Sequence, residues 1–123
     1  MEDRKVYVGG QIIDQYGTFK RGKREIINEF RHEGKEYILV KNFAEHYNKA
    51  LMYQDKDDVN HYILISYNTI VAEYIDGKMI EYGYYSQATN RHLNSFLEHF
   101  GFKSMNKKET LENENKLLSF GSY

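Results

Sequence analysis

The sequence predicts an α+β domain, an antiparallel sheet packed by one or two helices. Three observations predict it. Short runs rich in β-branched and aromatic residues are separated by tight-turn dipeptides. Residues 88–100 carry an apolar stripe at helical spacing. The strand signals come first and the helical signals last, the order of an α+β fold rather than of alternating βα units. A chain of 123 residues is expected to form one domain, 1–123, with a modest core.

In chain order, residues 5–8 read as a short strand stopped by Gly9-Gly10, and residues 11–19 show no clean period. Lys20-Arg21-Gly22-Lys23-Arg24 is a basic turn. Residues 24–32 and 35–41 form a hairpin around Glu33-Gly34. A two-residue loop there sets Phe30 opposite Tyr37 and Arg31 opposite Glu36, two favourable cross-strand pairs. Residues 42–53 support two readings. Asn42 and Glu45 have capping-box spacing before a helix, whereas Ala50-Leu51-Met52-Tyr53 also suits a short buried strand. Residues 54–58 read as a polar, acidic loop. Residues 62–66 and 70–75 are buried-strand runs, and Asp76-Gly77 marks a hairpin into residues 79–82. Ser66-Tyr67-Asn68-Thr69 is too polar for an uninterrupted core strand, so a tight turn or kink is expected there.

The clearest helix spans residues 88–100. Leu93, Phe96, Leu97 and Phe100 fall at i, i+3, i+4 and i+7. Ser86 or Thr89 can cap its start. Gly101 sits where a left-handed C-terminal cap belongs, with Phe102 as its apolar contact. Residues 106–118 form a weaker helix opened by an Asn106/Glu109 capping box. The last five residues are expected to fray.

Composition narrows function mainly by exclusion. The 17 basic and 18 acidic residues leave no field that points to nucleic acid or anionic lipid. The absence of cysteine removes disulfides, thiolate zinc sites and thiol catalysis. No apolar run suits a signal peptide or a membrane span, so a cytoplasmic protein without a membrane partner is expected. Proline is absent and tyrosine is frequent, at 12 residues. Codon bias in an AT-rich genome explains this, and an aromatic contact surface would also.

No residue set has the spacing of an active site. The five histidines show no i, i+3 or i+4 pair. His92 and His99 would lie about 10 Å apart along a helix, too far to share a metal bonded at about 2.1 Å. Asp55, Asp57 and Asp58 lack the glycine and distant glutamate of a calcium loop. The expectation is therefore no metal, no cofactor and no catalytic residue. His92, on the helix flank, reads as a structural or contact histidine. Arg91 points away from the apolar stripe and is a binding candidate. Lys20, Arg21, Lys23 and Arg24 could meet phosphates or acidic side chains; the plainer reading is an exposed turn that discourages aggregation.

One resemblance adds to this. It rests on Asn48-Lys49-Ala50, Ser66-Tyr67-Asn68-Thr69, Val71-Ala72, Tyr84-Tyr85-Ser86, Thr89, Arg91-His92, Phe96-Leu97 and Phe100-Gly101. On these residues the segment 46–103 resembles a small domain of unknown function found in phages, plasmids and other mobile elements of low-GC Gram-positive bacteria. Ala88 stands where that family usually has a first hydroxyl residue, and Asn90 intervenes before Arg91-His92. The resemblance favours a strand at residues 50–53. Beside the resemblance, Tyr84 and Tyr85 lead directly into the helix whose flank carries Arg91 and His92, so these residues and the turn at Tyr67 and Asn68 are expected to lie close together, as a structural knot or as a recognition surface. The function the resemblance implies is that of a non-enzymatic inhibitor of a host defence complex. An anti-CRISPR protein acting on Cas9 with its guide RNA is the first candidate. The alternative is a nucleic-acid-binding accessory protein of the mobile element.

Overall fold

The computed structural model describes residues 6–8, 11–13, 28–46, 48–67 and 69–119. Its centre is a seven-stranded antiparallel sheet whose strands follow chain order. These are β3 (Glu29–His32), β4 (Lys35–Asn42), β5 (Ala50–Asp55), β6 (His61–Ser66), β7 (Thr69–Ile75), β8 (Lys78–Glu81) and β9 (Leu118–Ser119). The short strands β1 (Val6–Val8) and β2 (Gln11–Ile13) pair with each other in a separate ribbon. Two helices follow β8: α1 (Gln87–His99) and α2 (Lys107–Glu112). The predicted α+β class and its antiparallel sheet are therefore present.

Turn chemistry sets the strand registers. Glu33 and Gly34 both take positive φ, 51° and 80°, the geometry that matches strand twist in a two-residue hairpin. Phe30 then faces Tyr37 and Arg31 faces Glu36, as expected. The two rings stack at 5.3 Å between centroids. Asp76 and Gly77 repeat the same turn at φ 50° and 87°. At the β6–β7 turn the left-handed residue is Tyr67, at φ 57°; Asn68 lies outside the described residues.

Two irregularities decide which side chains reach which face. In β4 the register shifts between Leu39 and Lys41, leaving Val40 unpaired and half exposed. In β7 the shift falls between the partners of Leu64 and Ile65, which pair with Ala72 and Ile70. Val71 is thus the extra residue of a bulge, which re-aims a strand locally. That is why adjacent Val71 and Ala72 both pack on the α1 side, while Ile70 joins the opposite face.

Both faces of the sheet are buried at its middle. Leu93, Phe96 and Leu97 of α1 pack on Ala50, Met52, Leu64, Ala72 and Met79. The other face gathers Phe30, Tyr37, Leu51, Tyr53, Ile63 and Ile65. Burial on both sides makes β5 uniformly apolar from Ala50 to Tyr53, so its sequence lacks the alternation of a one-sided strand.

Three expectations need correction. Asn42 does not cap a helix; it ends β4, and its side-chain amide donates to Asn48. Among the described residues between β4 and β5 stands the 3-10 turn Ala44–His46. Residues 54–58 are not simply a solvated loop, because Asp55 ends β5 and is 2% exposed. The second helix has its capping box, but it stops at Glu112. Asn115 takes φ 63°, which an α-helix does not tolerate. Leu118 then pairs with Met79 in β9 and closes the edge of β8.

Candidate functional site

Polar residues from the end of β6 and the start of α1 meet behind α1. Ser86 caps the helix, its hydroxyl accepting from the Thr89 amide at 3.0 Å. That fixes Thr89 and His92 one turn apart, both facing the end of β6. There the Ser66 hydroxyl donates to Thr89 Oγ1 at 3.0 Å. Ser66 Oγ also lies 2.7 Å from His92 Nδ1. The Tyr67 and His46 rings flank His92, with centroids at 5.2 and 4.5 Å. His46 in turn lies 2.8 Å from the Ser95 hydroxyl.

A serine beside a histidine invites a nucleophile reading, and the geometry opposes it. Ser66, Thr89 and His92 are all buried. A nucleophile sealed from solvent meets no substrate. The trio instead ties the start of α1 to the sheet. Replacing Ser66 by alanine should cost about 1–3 kcal/mol, because it strands a buried imidazole nitrogen and a buried hydroxyl. Urea denaturation would measure the loss.

The other candidates do not form one patch. Arg91 is exposed on α1 and lines a shallow cavity of about 290 Å³ with Tyr84, Asn94 and Lys107. The Lys107 ammonium lies 5.1 Å from the Tyr84 ring centroid. Tyr85, half exposed, turns to the opposite side. Lys20, Arg21, Lys23 and Arg24 lie outside the described residues, as does Asn68.

A second site was not legible in the sequence. A cavity of about 400 Å³ opens on the sheet face opposite α1, over β3, β4, β6 and β7. A chain of polar side chains runs beneath it. Asp55 at the end of β5 lies 3.1 Å from His61 Nδ1. His61 Nε2 lies 2.8 Å from Glu73 Oε1. The Tyr82 hydroxyl donates to Glu73 Oε2 at 2.6 Å. Lys35 approaches Asp55 at 3.6 Å from the rim. Register builds this chain: His61 pairs with Ile75, so Glu73 is its diagonal neighbour on the same face.

The electrostatics agree with the geometry. Hydrogen bonding to Glu73, opposed by burial and helped by Asp55, raises the His61 pKa. Burial works against ionised Glu73, but its bonds to His61 and Tyr82 hold it below the usual carboxylate range. Burial likewise opposes Asp55, and the Asp57 amide and His61 outweigh it. Both ring nitrogens of His61 are thus held by carboxylates, an arrangement that favours the imidazolium. Among the described residues, no group of three or more His, Cys, Asp or Glu side chains is arranged to hold a metal ion. No helix of the described residues is long and apolar enough to cross a membrane.

One signal for this site was present in the sequence. Glu73 interrupts the apolar run of residues 70–75, and a charge inside a buried strand needs a partner. Its identity depended on registers across three strands.

Comparison with known proteins gives one match. No curated protein and no solved structure matches the chain. A family described as a family of unknown function (DUF8033) matches residues 34–113, which encloses the segment 46–103. The match covers well over half of the 123 residues, and the chain belongs to DUF8033.

Proposed function

We propose that this chain acts by binding a macromolecular partner and not by catalysis. One observation carries the reading. The two histidines best placed for chemistry are both committed. His92 is buried against Ser66 and Thr89, and both ring nitrogens of His61 face carboxylates. Burial keeps His92 from a substrate, and the two carboxylates occupy the nitrogens with which His61 would take a proton. The cavity above Glu73 and the half-exposed Tyr85 beside it offer contact area instead.

For the partner, the resemblance to mobile-element domains favours a host defence complex, first a Cas9-type nuclease with its guide RNA. The basic run Lys20, Arg21, Lys23 and Arg24 suits acidic side chains or guide phosphate. The nucleic-acid accessory reading is second, and the net charge of −1 counts against it. Fluorescence anisotropy separates the two. The labelled chain should bind the assembled nuclease–guide complex and bind free DNA or RNA far more weakly at physiological salt. Equal, steeply salt-dependent binding to free nucleic acid would favour the accessory reading. Reversing the four basic residues to glutamate should abolish inhibition while leaving the thermal melt nearly unchanged.

A further inference from the structure

The cavity over Glu73 has a definite chemical preference, set by which hydrogen-bonding groups are already used. The two ring nitrogens of His61 face Asp55 and Glu73. The Tyr82 hydroxyl proton is spent on Glu73. An incoming anion would find neither of these donors available. Acceptors remain. Each Glu73 oxygen takes one of these bonds, and a carboxylate offers about four lone-pair sites. The Glu73 side chain keeps 24% of its surface exposed and lines the cavity.

The walls favour the same kind of guest. Tyr37, Tyr82 and Tyr85 line the cavity. Aromatic faces attract cations, and guanidinium most readily because it stacks flat and sheds water cheaply. Carboxylates act on the tyrosine hydroxyls. Burial and then Glu73 with Asp55 push the Tyr37 hydroxyl pKa up; burial and Glu73 do so for Tyr82. Lys35 is a cation at the rim; its side chain is 57% exposed and faces Asp55. A volume of about 400 Å³ is ample for one long side chain.

We propose that this cavity receives an arginine side chain of the partner, its guanidinium paired with Glu73 and laid against the tyrosine rings. The inference rests on the binding reading above and adds the chemical group that is read. Capped arginine (N-acetyl-arginine amide) tests it by NMR, with capped glutamate as control. Capped arginine should give saturable shifts at the rings of His61, Tyr82 and Tyr85, and capped glutamate none. Glu73→Gln should weaken arginine binding at least tenfold. Tyr85→Ala, at a half-exposed position that the core does not need, should weaken it severalfold and guards against misfolding of the first variant. No saturable shift at these rings, or equal affinity in both variants, overturns the inference, as does tighter binding of capped glutamate. If the wild-type chain still binds its macromolecular partner and Glu73→Gln leaves that affinity unchanged, the arginine inference alone falls and the binding reading stands.

Discussion

Replacing Phe96 by alanine is expected to lower the unfolding free energy by about 3–5 kcal/mol. Phe96 has no exposed surface and stands at the centre of the cluster between α1 and the sheet. Its ring meets Phe100 edge-to-face at 5.2 Å, and Phe100 stacks on Tyr74 at 3.9 Å. The cavity left by the ring cannot collapse easily, because β5, β6 and β7 beneath it are fixed by ladders on both sides. A domain of this size has roughly 5–15 kcal/mol in total, so the variant would be marginal. Urea denaturation gives the value. A loss under 1 kcal/mol would mean that α1 is not packed as described.

The second large effect depends on pH. Glu81 ends β8 with no exposed surface. One carboxyl oxygen accepts from the Gly83 amide at 2.8 Å, and Oε2 has no hydrogen-bond partner among the described residues. Burial, only partly offset by that amide and reinforced by nearby Glu114, pushes its pKa up to about 7. The folded state therefore holds the Glu81 proton more tightly than the unfolded state. Its cost is absent below the ordinary carboxylate range, grows as pH rises, and is complete above about pH 7. Glu81→Gln keeps the acceptor for Gly83 and removes the titration. Its stability relative to the wild type should improve by about 3 kcal/mol between pH 4 and pH 8. Parallel pH curves for the two proteins would contradict the assignment. His61 contributes a slope of its own that survives in the variant. Its pKa is raised by the bond to Glu73, so its stabilisation is complete below the ordinary histidine value and lost as pH rises through the raised one.

Local chemistry made much of the fold legible. Glu33-Gly34 and Asp76-Gly77 each encode their own turn, and a turn of fixed length encodes a register. The stripe from Leu93 to Phe100 and the glycine after it defined α1 within a residue at each end. Elements that depend on distant partners were not legible. Leu118 reads as helical by spacing; Asn115 breaks the helix and the open edge of β8 takes Leu118 up. Asn42 has capping spacing, but strand pairing with Leu51 is the stronger claim on its backbone.

The candidate site divides the same way. Ser66, Thr89 and His92 were named by the sequence, and their meeting is a contact across 26 positions that no local pattern predicts. Tyr84 and Tyr85 are neighbours in sequence but lie at different cavities. Asp55, His61, Glu73 and Tyr82 come from β5, β6, β7 and the segment just after β8, and only the stacked registers bring them into one chain.

The central claim, binding without turnover, is tested most directly by the stoichiometry of inhibition. The purified chain is titrated into a fixed amount of a Cas9-type nuclease loaded with guide RNA, and target-DNA cleavage is followed over time. Cleavage is expected to fall in proportion to added protein, to reach its floor near one equivalent, and not to deepen on longer preincubation. Time-dependent loss at a small fraction of an equivalent would show turnover and contradict it, and full cleavage at large excess would remove this partner.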